Sequence, residues 1–127
     1  MSDFRTPAKI VRGSGPAKDG TEHFWRQRLT AIANIPLLLF FVGFVVSLNG
    51  ASHEEVIAAV SHPLTAIALI AVIGSALLHM KLGMQVVIED YIHGEGAKII
   101  MLFLNSAFTY GTGLIAVFAI LKISFGA

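Results

Sequence analysis

Three blocks of apolar residues, each long enough to cross a lipid bilayer, constrain this chain more than any other feature. They run over about residues 29–48, 64–88 and 99–121. About 20 helical residues at 1.5 Å each span roughly 30 Å, the thickness of one hydrocarbon core. In lipid a backbone must satisfy its own polar groups, and unbroken blocks of this length specify helices. Composition agrees. Of the 127 residues, 55% are hydrophobic and 13% are charged, against about 25% charged in ordinary soluble domains. Too few charges remain to coat a water-facing surface. The expected fold is an all-α membrane protein: a polar tail over 1–28, then a domain of three transmembrane helices over 29–127.

The segments between the blocks carry helix-end and turn signals. Pro36 lies inside the first block, where membrane helices tolerate it, and Asn49-Gly50 closes that block. In the loop Ala51–His62, residues His53–Val60 are suited to a short surface helix. Pro63 fits the first turn of the second helix. A connector over Glu89–Lys98 follows, with Gly94 and Gly96 as breakers. The approach to the first block, around His23–Arg28, reads as a short amphipathic segment. Six of the nine Lys and Arg residues (Arg5, Lys9, Arg12, Lys18, Arg26 and Arg28) precede the first helix, and the first loop has none. The positive-inside rule then places the N-terminus and the second connector in the cytoplasm and the C-terminus outside. The tail has neither the layout of a secretory signal nor that of a transit peptide, since Asp3, Asp19 and Glu22 interrupt its basic character. A multi-pass protein of a bacterial inner membrane is the expectation.

The chain has no cysteine, which excludes disulfides, thiolate chemistry and Cys-ligated zinc or iron–sulfur sites. A redox centre would need other ligands, and histidine is the obvious one. His79 is the most informative candidate. It lies about nine residues inside the end of the second block, or roughly 13 Å deep. An ionisable group at that depth is costly and faces a bundle interior. At about 100° per residue, Ser75, His79, Gly83 and Asp90 form one stripe. Small residues on either side of the histidine leave room for a flat macrocycle, and neutral imidazole is a good axial ligand for haem iron. A packing hydrogen bond to a neighbouring helix is an equal alternative. One histidine fixes only one axial position, so a second ligand would come from another chain.

Other polar residues carry two readings each. Asp90 and Tyr91 are either an interfacial acid and aromatic-belt tyrosine, or a proton carrier and a phenolic donor for a lipid-soluble substrate. Arg26 and Arg28 anchor the first helix at the interface, and a guanidinium there is also suited to a buried carboxylate such as a haem propionate. Lys81 points about 200° away from His79 and can snorkel. The small and polar residues of the third block, Asn105, Ser106, Thr109, Tyr110, Gly111 and Gly113, fit close helix packing better than lipid contact.

The segment from His79 through Gly83 to Asp90-Tyr91 resembles the signature of the small hydrophobic membrane anchor subunit of succinate dehydrogenase, respiratory complex II. That family shows a histidine, a glycine four residues on, then Asp-Tyr at eleven and twelve, and all four positions match. The stretch Gly20–Ile32, with His23, Arg26 and Arg28, is similar to the family's first-helix start. The resemblance covers the chain from about Gly20 onward. It implies an anchor bundle shared with a larger cytochrome b anchor subunit, joined to an iron–sulfur subunit and a flavoprotein subunit. It implies His79 as one axial ligand of a b-type haem. Tyr91 and Asp90 would serve a ubiquinone-reduction site, with Arg28 and His23 near the haem propionates. The activity implied is succinate:quinone oxidoreduction, in which this subunit does not act alone. The same resemblance extends to anchors of quinol:fumarate reductase. A cofactor-free structural subunit is a further alternative. A small multidrug-type transporter is disfavoured because every acid lies at an interface. No nucleic-acid partner is expected.

Overall fold

The computed structural model describes residues 6–8 and 18–126. The rest of the tail expected over 1–28 lies outside the described residues. From residue 18 onward the described chain forms α1 (Lys18–Ser47), α2 (His53–Ser61), α3 (Pro63–Tyr91) and α4 (Glu95–Ser124). The helices α1, α3 and α4 are long and apolar enough to cross a membrane. The short α2 is the surface helix expected from His53 onward.

Each long helix outruns its apolar block. The amphipathic segment around His23–Arg28 is part of the spanning helix itself, because α1 starts at Lys18. The connector expected over Glu89–Lys98 shrinks to Ile92, His93 and Gly94. Apolar length reports where lipid lies, whereas a helix continues for as long as its residues favour it, and Glu, Gln and Lys are good helix formers. Gly94 takes the N-cap of α4 and Gly96 sits in its first turn without breaking it.

The helix ends are defined locally. Gly50 turns the chain after α1 with φ +81°, a left-handed conformation that glycine adopts without steric cost. Ser52 and Glu55 form a reciprocal cap on α2: the Glu55 N–H donates to Ser52 Oγ at 3.3 Å, and the Ser52 N–H donates to Glu55 Oε2 at 2.7 Å. The Ser52 backbone bond, aided by the Ser52 side chain, holds the Glu55 carboxyl below its ordinary value of 4.5. His62 caps α3, its Nδ1 accepting from the Leu64 N–H at 3.3 Å, with Pro63 in the first turn.

α3 is the central helix. α1 and α4 both pack on it, with no close backbone approach to each other among the described residues, while α2 bridges α3 and α4. Ala66, Leu69 and Ile120 form a small core, flanked by Phe44, Val60, Ile70 and Ile73. Ser61 Oγ, 2.7 Å from the Ile57 carbonyl and 3.2 Å from the Ile123 carbonyl, ties α2 to the end of α4. Most apolar surface is uncovered: Leu39, Phe103 and Ile115 are each 71% exposed. In water such exposure would oppose folding at about 25 cal/mol per Å². In a membrane it is the surface that lipid or partner helices cover.

Candidate functional site

The polar stripe of α3 faces α1. Ser75, His79 and Gly83 lie against Gln27 and Thr30, and His23 shares their face of α1 at the four- and three-residue intervals of a helix. Thr30 Oγ1 is 3.1 Å from His79 Nδ1. Ser75 Oγ lies 3.5 Å from the Thr30 carbonyl. A Cβ added to Gly83 would stand 3.5 Å from Gln27 Nε2. The space that the small residues leave beside His79 is therefore filled, over Gly83, by the end of the Gln27 side chain. The small residues serve first to bring α1 close.

His79 is half-buried. Its Nδ1 is engaged by Thr30, and its Nε2 makes no hydrogen bond among the described residues. Among the described residues two more polar atoms on the same face of α1 lack partners: His23 Nε2 and Gln27 Oε1 are buried without a hydrogen bond. A buried group left unsatisfied costs about 1–3 kcal/mol.

The remaining candidates sit apart from this seam. Asp90 and Tyr91 occupy the last turn of α3 rather than a connector. Both are exposed, Tyr91 to 76%. They stand eleven and twelve residues beyond His79, roughly 16–18 Å along the axis. Arg28 is exposed, with its guanidinium 4.4 Å from the centre of the Phe24 ring. It points off the His79 seam, because two residues separate it from Thr30, about 200° of helix. Arg26 pairs with Glu22. His53 and His93 are exposed.

Lys81 occupies the other side of α3. Its Nζ lies 5.7 Å from the centre of the Tyr110 ring, and Asn105 Nδ2 donates to its carbonyl at 3.0 Å. Thr109, 3% exposed, donates from Oγ1 to the Asn105 carbonyl at 2.8 Å. A Cβ on Gly113 would meet Leu77 Cδ1 at 3.3 Å, so α3 and α4 approach closely there. Asn105, Thr109 and Gly113 thus serve helix packing, as their chemistry suggests. Between α1 and α4, above α3, lies a groove of about 370 Å³ lined by Arg26, Leu29, Thr30, Leu78, Lys81, Leu82 and Tyr110.

Among the described residues no three His, Asp or Glu side chains converge on a metal position. Gln27 and Thr30 were not singled out from the sequence. Their signal is the interval that links them to His23, which is legible only once α1 is known to begin at Lys18.

The comparisons with known proteins agree with this architecture. Residues 2–120 match the family described as succinate dehydrogenase/fumarate reductase transmembrane subunit. The succinate dehydrogenase hydrophobic membrane anchor subunit of Paracoccus denitrificans is 31% identical over 126 residues, covering 98% of this chain and 95% of that protein. The protein of the same name from Rickettsia bellii is 34% identical over 119 residues, covering 91% and 95%. The succinate dehydrogenase membrane anchor subunit of Reclinomonas americana is 33% identical over 90 residues, covering 68% and 75%. No solved structure matches the chain. The chain belongs to the succinate dehydrogenase/fumarate reductase transmembrane subunit family, as a membrane anchor subunit.

Proposed function

From this family membership we propose that the chain, in a bacterial inner membrane, supplies one axial histidine to a b-type haem and a hydrogen-bonding wall to a quinone-reduction site. The larger cytochrome b anchor subunit would supply the second histidine. The iron–sulfur and flavoprotein subunits would deliver electrons from succinate. The observation that carries the reading is the state of His79: a half-buried imidazole within a spanning helix, engaged at Nδ1 and unengaged at Nε2. A purely structural role accounts for the first nitrogen and leaves the second without a function. A neutral imidazole with one unengaged nitrogen fits a haem ligand, and the second would come from the larger anchor.

When bound, such a haem stores and passes single electrons in the membrane interior. The residues of this chain do the rest by position. His79 offers one nitrogen from a dry seam. Tyr91, exposed at the end of α3, would donate a hydrogen bond to a quinone carbonyl, and Asp90 beside it would exchange protons with water. Reduction takes two electrons and two protons per quinone, and the exposed position of Asp90 at the end of α3 supports a role for it in supplying protons. His23 would lie on the propionate side, its Nε2 buried and unpartnered among the described residues in support, whereas Arg28 would have to leave the Phe24 ring to join it. The relatives' names favour succinate oxidation over fumarate reduction as the direction served.

The test is a reduced-minus-oxidised visible spectrum of the detergent-purified complex, native against His79→Ala. The expected result is a b-type signal in the native complex that is lost or shifted in the variant. A native signal that survives His79→Ala unchanged would remove the ligand assignment.

A further inference from the structure

The hydrogen bonds around Thr30 determine which nitrogen of His79 carries the proton. Thr30 Oγ1 lies 2.8 Å from the Arg26 carbonyl, 3.0 Å from the Gln27 carbonyl and 3.1 Å from His79 Nδ1. A hydroxyl has one proton to give and lone pairs to accept with. Both carbonyls can only accept, so the proton belongs to them, in the back-bonded arrangement that threonine adopts inside helices. Turning it toward Nδ1 would instead face the hydroxyl lone pairs to two carbonyl oxygens at about 3 Å. Oγ1 therefore presents a lone pair to His79, and Nδ1 must donate. A neutral imidazole has a single N–H. Nε2 is then the unprotonated nitrogen, and it makes no hydrogen bond among the described residues.

We propose that Thr30 is the positioning residue of this site. Its hydroxyl holds His79 in the Nδ1–H tautomer and fixes the ring plane, so that the Nε2 lone pair is presented to haem iron. The inference rests on the haem reading above. Its content is separate: a group on α1, in the same chain, sets the orientation and basicity of a ligand on α3. The seam is arranged to keep the contact. Gln27 closes on Gly83 one turn away, and Ser75 reaches the Thr30 carbonyl from the other side. A donated Nδ1–H makes the imidazole a stronger electron donor and so favours oxidised iron.

The experiment compares Thr30→Val, which keeps the shape and removes the hydroxyl, with Thr30→Ser, which keeps the hydroxyl, in the complete purified complex. The readouts are haem per flavin, the haem midpoint potential and the low-spin g-values of the oxidised haem. Thr30→Val is expected to weaken haem retention about tenfold, the lower end of measured outer-shell effects, and to move the potential upward. Thr30→Ser is expected to keep the native values. Native haem content, potential and g-values in Thr30→Val would overturn the proposal while leaving His79 as a ligand. Loss of the native values in Thr30→Ser would overturn it too, because only the methyl group has gone; that variant carries the test alone if Thr30→Val does not assemble. Retention of the native spectrum in His79→Ala would instead bring down the haem reading.

Discussion

Gly83 is where the approach of α1 to the His79 stripe can be tested by size. Replacing it with alanine adds a Cβ at 3.5 Å from Gln27 Nε2, an ordinary contact with the mobile end of a long side chain. No backbone has to move. Alanine also favours a helix interior over glycine by up to about 1 kcal/mol. Gly83→Ala is thus expected to leave the complex as stable as the native one or slightly more so, with full haem. Gly83→Leu adds three further carbons into the same seam. Overpacking of that kind costs about 1–3 kcal/mol, roughly 5- to 150-fold in the packing equilibrium. It should also separate Thr30 from His79, since Gln27 and Thr30 lie on one face within a turn of each other. The assay is thermal denaturation of the purified complex, followed by flavin fluorescence, with haem per flavin measured on the same samples. An alanine variant as damaged as the leucine variant would mean that the seam is tighter than 3.5 Å. A harmless leucine would mean that Gly83 does not face α1 at all.

Three further outcomes can be checked. Tyr91→Phe removes one neutral hydrogen bond of about 0.5–1.5 kcal/mol, so quinone reductase activity should fall roughly 2- to 13-fold while the haem spectrum stays native; an unchanged rate would remove Tyr91 from the quinone site. Asn105→Leu deletes the bond to the Lys81 carbonyl and should destabilise the bundle by about 0.6 kcal/mol, at most about 1.7, the range for such bonds in lipid; thermal denaturation of the complex reads it. The Glu55 carboxyl is held below 4.5 by its bonds to Ser52. The bond from the Ser52 N–H to the carboxylate is therefore intact above that pH and is lost as pH falls through the lowered folded value, which amide exchange at Ser52 will show, with Glu55→Gln abolishing the dependence.

The three spans were legible because hydrophobic length has a single physical use in lipid. The ends of the helices were not, because polar residues such as Glu89, Asp90 and Glu95 leave the hydrocarbon without leaving the helix. Reading Glu89 as the start of a connector followed from treating the end of apolarity as the end of structure. His79 and its stripe were readable from a 100° rotation alone. What fills the stripe was not. Ser75 and Gly83 look alike whether a macrocycle or a helix lies against them, and only the geometry shows Gln27 and Thr30 there. Lys81 is the converse case: its rotation away from His79 was readable, but its neighbour on that side, Tyr110 of α4, was not.

His79 and the pair Asp90 and Tyr91 sit in different surroundings on one helix. On the proposed reading a ligand histidine must present a lone pair, and the seam in which Thr30 holds His79 Nδ1 would present it. A group that moves protons must exchange them with water, and the exposed turn at the end of α3 favours that. No single position in a bilayer meets both requirements. One helix meets both by length: about twelve residues at 1.5 Å put roughly 18 Å between the two environments. On the proposed reading, α3 therefore fixes the distance between haem and quinone as a rigid spacer. Breaking it between them, for example with Gln85→Pro, should depress quinone reduction more than either Tyr91→Phe or Asp90→Asn does alone.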